Sequence, residues 1–112
     1  MAPHGLGDLE QLVLLAVLRL GELAYAVSVR DEIQQRTGRD VSRGAVYVTL
    51  DRMERKGYLR SRLGEPTRER GGKAKRLYTV DAPGMRAIRA ALSDTRSMLD
   101  GLPPDLAWTP RT

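Results

Sequence analysis

The residues of this chain best suited to chemistry are cations, and they are crowded together. Between Ser42 and Val80 lie eleven of the nineteen Lys and Arg residues but four of the fourteen acids, a net of +7. The other 73 residues carry −2. Arg43, Gly44 and Tyr47 follow Ser42 at helical spacing, and Arg68, Arg70, Lys73, Lys75 and Arg76 share a Gly-bearing stretch further on. A guanidinium pairs with a guanine edge or a phosphate, and a phenol hydroxyl reaches a phosphate oxygen. A helix opening at Ser42 also favours an anion at its N-terminus. The chemistry offered is recognition of a polyanion.

Bond-breaking chemistry finds no comparable set. The one histidine, His4, lies in a Gly- and Pro-bearing leader, and there is no cysteine. Neither a metal site nor a nucleophile–base pair can be assembled from such material. Gly71-Gly72-Lys73 is not a phosphate loop, because Ala74 stands where Ser or Thr is needed and no Gly lies five residues before Gly72. Asp31-Glu32, Asp51 and Glu54 fall on helix surfaces, where nearby arginines account for them. No catalytic residue, cofactor or metal is expected.

The elements that position the cations can be read from periodicity. Leu9, Leu12, Val13, Ala16, Val17 and Leu20 follow the spacing of one helical face between a capping Asp8 and Gly21. A second helix is expected from Ala26 to Thr37, burying Val29 and Ile33 and ending at Gly38. Ser42 caps a third, with Val46, Leu50 and Met53 inward and Gly57 at its end. The period then falls to two: Leu59, Ser61 and Leu63 alternate with Tyr58, Arg60 and Arg62, and Leu77 to Val80 forms the matching strand. GEPTRERGGKAK between them is loop chemistry. Asp81 is placed to cap a last helix with Pro83 in its first turn and a stripe of Met85, Ile88, Leu92, Thr95 and Leu99. That stripe finds little left to cover within one protomer, so self-association is the expected way to bury it.

The expected fold is mainly α with a small β-hairpin: a winged helix-turn-helix plus a C-terminal dimerisation helix. Its divisions are a leader (1–7), a winged-helix domain (8–80), the dimerisation helix (81–101) and an irregular tail (102–112). Trp108 in that tail either packs over the last helix or stacks on a flat ligand. At 112 residues the chain makes one domain, and its longest apolar run, Leu12 to Leu18, is too short for a membrane span or a signal peptide. A cytoplasmic location is the default expectation.

These stretches also resemble the short branch of the PadR-like transcriptional regulators. The matching segments are LGDLEQLVLLAVLRL, RDEIQQRTG, VSRGAVYVTLDRMERKGYL, GEPTRERGGKAKRLYTV and APGMRAI, in that order over about residues 6–99. The resemblance implies a bacterial homodimer, nucleoid-associated when bound, that represses from an inverted repeat in double-stranded DNA. Carried over position by position, it places Ser42, Arg43, Tyr47 and Thr49 on the recognition helix and Arg70, Gly72, Lys73 and Lys75 on the wing. Some short members bind flat apolar molecules between subunits, so a small apolar effector at the dimer interface is a further partner the resemblance allows, though no residue of the chain specifies one. Ala26 departs from the Gly usual after Tyr25, and Asp81 from the Thr that commonly opens the last helix.

The combined expectation is a sequence-specific DNA-binding repressor. Ser42, Arg43, Gly44, Tyr47 and Thr49 would read the groove, and Arg68, Arg70, Gly72, Lys73 and Lys75 would grip the backbone. Leu9, Leu12, Met85, Ile88, Leu92 and Leu99 would join two copies. The rival is a winged-helix module that binds another protein without specific DNA readout. Charge concentrated on the two elements that meet DNA in this fold favours the first reading.

Overall fold

Seven side chains with essentially no solvent exposure mark where the elements meet: Val13 and Leu14, Val29, Val46, Leu50 and Met53, and Leu59. They belong to successive elements in a computed structural model that describes residues 5–65 and 74–104. Helix α1 spans Asp8–Leu20, followed by a 3-10 turn at Gly21–Leu23, α2 at Ala26–Thr37 and α3 at Arg43–Arg55. Strands β1 (Leu59–Leu63) and β2 (Arg76–Val80) and helix α4 (Ala82–Leu99) complete the order. The winged helix-turn-helix expected from the periodicity is present.

The helix ends follow local chemistry. Ser42 Oγ accepts from the Ala45 amide at 3.1 Å and starts α3. At its other end the Tyr58 amide reaches back to the Met53 carbonyl and the Gly57 amide to Glu54. Gly57, at φ 82°, supplies the left-handed residue that this closure requires. Two expected caps are corrected. Gly7, not Asp8, holds the N-cap position of α1, and Glu10 Oε1 accepts its amide at 2.8 Å. Asp8 is instead ion-paired to Arg39 at 2.6 Å. Asp81 does sit at the N-cap of α4, but it makes no side-chain cap bond, and its carboxylate pairs with Arg60 at 3.3 Å.

The strands pair antiparallel with Leu59 opposite Val80, Ser61 opposite Tyr78 and Leu63 opposite Arg76. Paired residues share a face, so Leu59 and Tyr78 both turn into the core. Leu63 lies on the same face but is exposed, because the hairpin has by then outrun the helices beneath it. The Tyr78 amide also donates to the Ala24 carbonyl at 2.8 Å, which ties β2 to the entry of α2.

Helix α4 departs most from expectation. Its first half packs on the same protomer: Gly84, Ala87, Ile88 and Ala91 are buried, and Ile88 is only 2% exposed. Ile88 is therefore a core residue and is removed from the set available to a second copy. The chain leaves β2 directly over α1, so the first turns of α4 have to cross α1 before they reach open solvent. From Ser93 to Met98 every residue is exposed. Gly84 lets the start of α4 lie close against the link between α3 and β1, since a Cβ there would lie 2.4 Å from the Tyr58 carbonyl oxygen.

Gly84→Ala should consequently destabilise the fold, because a backbone carbonyl cannot step aside as a flexible side chain would. An overpacking cost of about 1–3 kcal/mol is expected, which lowers the melting temperature by roughly 4–8 °C per kcal/mol. Thermal melts by circular dichroism check this; an unchanged melting temperature would contradict the close approach.

Candidate nucleic-acid interface

Helix α3 is held from behind and at both ends. Val46, Leu50 and Met53 anchor its inner face. Before its start, Arg30 donates to the Val41 carbonyl at 2.8 Å and pairs with Asp40 at 3.3 Å, which pins the turn between α2 and α3. Beyond its end, Glu10 of α1 accepts from Lys56 at 3.1 Å and faces Arg52 at 3.8 Å. Glu10 is only 6% exposed. Burial works to raise its pKa, but the Gly7 amide, Lys56 and Arg52 together outweigh that and hold the carboxyl below its ordinary value. Sequence reading passed over Glu10, although it stands three, four and seven residues before the buried Val13, Leu14 and Val17. An acid on an apolar stripe was the available signal.

The outer face carries Arg43, Gly44, Tyr47, Val48 and Asp51, all exposed. Tyr47 is 54% and Val48 57% exposed. Asp51 is ion-paired to Arg55 one turn on. Thr49 is corrected: it is 4% exposed and donates its hydroxyl to the Ala45 carbonyl at 2.7 Å, so it faces the core side and cannot touch a ligand laid on the outer face. Ser42 is exposed, with its hydroxyl oxygen engaged in the cap.

The excess of positive charge divides into two groups. Arg52 and Lys56 serve Glu10, Arg55 serves Asp51, and Arg60 serves Asp81. Arg76 donates to Ser61 at 3.0 Å, and Ser61 in turn donates to Glu54 at 2.7 Å. Among the described residues, Arg43 on α3 and Arg62 on β1 have no such partner and are free to meet an external anion. Lys75, at the base of the wing, lies over the Tyr25 ring with its ammonium 4.3 Å from the centroid. The contact fastens the hairpin to the start of α2. Arg68, Arg70, Gly72 and Lys73 lie outside the described residues, as does Trp108.

An open cleft of about 440 Å³ runs between the N-terminus of α1 and α3, with Leu9 and Glu10 on one side and Gly44, Val48 and Arg52 on the other. Among the described residues no cluster of His, Cys, Asp or Glu could hold a metal ion, and no helix is long and apolar enough to cross a membrane.

A buried three-helix stripe, a wing and an exposed α3 face are the geometry of a DNA reader, and comparison with known proteins agrees. The sequence profile of the transcriptional regulator PadR-like family matches residues 14–90, from the core of α1 into α4. The chain belongs to this family. It is a DNA-binding transcriptional regulator rather than an enzyme. No curated protein matches its sequence.

Solved structures share the fold. A PadR family transcription regulator from Clostridium difficile is 19% identical, covering 82% of this chain and 91% of its own, with a TM-score of 0.66. A PadR family regulator from Eggerthella lenta is 24% identical over 84% of this chain and 81% of its own, at 0.65. RosR of H. salinarum is 21% identical, covering 91% of this chain and 84% of its own, at 0.63.

Glu10 makes this PadR-like regulator's stability depend on acid. Its pKa is lowered by folding, so its stabilising contribution is complete above the ordinary carboxylate pKa of about 4.3 and is lost as pH falls through the lower folded value. Glu10→Gln should shrink the difference in unfolding free energy between pH 6 and pH 3. Equal pH dependence in wild type and variant, followed by urea denaturation, would remove Glu10 from the α1–α3 tie.

Proposed function

We propose that the protein is a repressor that binds an inverted-repeat operator as a homodimer. Each α3 enters a major groove, and each wing lies along the adjoining backbone. The observation that carries this reading is Arg43: a cation in the first turn of α3, exposed and without an internal partner, beside the exposed Tyr47. Most other described cations of the region are committed within the fold. A module that merely needed solubility would have no use for one left free at the recognition position. Arg43 suits a bidentate pair with guanine, and the Tyr47 hydroxyl a phosphate. Arg68, Arg70, Gly72 and Lys73 of the wing are assigned to the backbone from their sequence, with Lys75 helping to fix where the wing points.

The dimer reading rests on the remaining apolar line of α4. Met85, Leu92 and Leu99 recur every seven residues and are half-buried, as are Leu9, Leu12 and Leu15 of α1, the helix that α4 packs against. Seven-residue spacing suits a helix packed along a copy of itself. Two protomers related by a twofold axis would present two α3 helices, which is what an inverted repeat requires. A small apolar effector would enter between the subunits.

Light scattering should give about 25 kDa, twice the 12.4 kDa of the chain, and Leu99→Asp, beyond the protomer's core, should halve that mass without unfolding the chain. A monomeric wild type would refute the dimer. On duplexes selected from a random pool, Arg43→Ala should lose about 1–3 kcal/mol of binding while melting like wild type. Neutralising Arg68, Arg70 and Lys73 to Gln should flatten the log–log salt dependence by about 0.9 for each phosphate no longer engaged. Unchanged affinity in the first variant and an unchanged slope in the second would overturn the assignment.

A further inference from the structure

Nothing within the protomer explains Val48. It is 57% exposed in the middle of α3. Successive helical residues turn by about 100°, which places Val48 with Gly44 and Arg55 on the line most nearly opposite the buried Val46, Leu50 and Met53. Its neighbours one turn away are Gly44, Ala45, Asp51 and Arg52, and it stands at the rim of the open cleft that Leu9 of α1 borders, so it is the one large apolar side chain that the outer face of α3 presents to solvent besides the Tyr47 ring.

Two features make this point usable. A valine in a helix is stiff, since one χ1 rotamer dominates, and its two methyl groups are held in fixed positions. One turn earlier, a Cβ on Gly44 would find nothing within 4 Å, so the helix surface beside Val48 is bare backbone that a flat edge can approach closely. Of the four bases, only thymine offers an apolar group in the major groove, its 5-methyl.

We propose that Val48 is a specificity-determining contact of α3, packing against the 5-methyl group of a thymine in the operator half-site. The inference rests on the placement of α3 in the major groove and adds an apolar contact to the polar one made by Arg43.

The test uses the full chain and duplexes selected from a random pool, with each thymine replaced singly by deoxyuridine, which lacks only the methyl group. At one thymine position of the half-site the wild type should weaken about fourfold, the effect of one buried methyl-sized group. Val48→Ala should bind the thymine and uracil duplexes equally at that position and match the wild type's ratio at all others. The variant should fold, because the side chain is exposed and alanine is the better helix former. Val48 loses the role if no replacement weakens the wild type, or if Val48→Ala shows the same loss as the wild type. If Val48→Ala and Arg43→Ala both bind the selected duplex as tightly as the wild type, the placement of α3 in the groove falls as well.

Discussion

The contact of α3's inner stripe with α1 and α2 is the interaction on which the rest of the structure depends. Val46, Leu50 and Met53 are fully buried, and close-packed interiors leave such side chains little room to shift. A helix seated this way has its outer face aimed by packing alone, leaving Arg43, Gly44, Tyr47 and Val48 free of structural duty. The polar ties act at the ends: Arg30 on the Val41 carbonyl before the helix, Glu10 on Lys56 and Arg52 toward its end. These ties set position along the axis, where the packed stripe sets rotation about it. The hairpin inherits that placement through the closure at Gly57 and the bond from Tyr78 to Ala24.

Charge in this protein has two uses, and composition alone merges them. Arg52, Arg55, Lys56 and Arg60 neutralise acids of the same fold, where exposed pairs contribute modestly to stability, and Lys75 and Arg76 are held by Tyr25 and Ser61. Arg43 and Arg62 are left over, one in the first turn of α3 and the other on β1, both exposed. Net charge still matters for long-range attraction to a polyanion, but the location of unpaired cations says more about where the contact is made.

Much of the fold was legible in the sequence because its signals are local. The stripe from Leu9 to Leu20, the Ser42 cap and the change of period after Gly57 each depend on residues within a few positions of one another. What was not legible depended on distance. Ile88 sits on the same helical stripe as Leu92 and Leu99, and periodicity cannot tell a stripe that meets its own core from one that meets a copy. Gly84 reads as a poor helix residue until the Tyr58 carbonyl is placed 2.4 Å from its would-be Cβ. Asp8 and Asp81 have the chemistry of caps, yet arginines from elsewhere in the fold claim their carboxylates. At the candidate site, Arg43 and Tyr47 were identifiable from helix phase. Thr49 came from family resemblance, and its hydroxyl is spent on the Ala45 carbonyl.

The central claim, that the outer face of α3 is the surface laid against DNA, is tested most directly by following backbone amide resonances while a selected duplex is titrated in. The largest shifts should map to residues 42–48, with a second group near Arg62 and Lys75, while the outer surface of α2 around Asp31 and Gln35 stays still. Shifts concentrated on α2 or α4, with α3 unmoved, would contradict it.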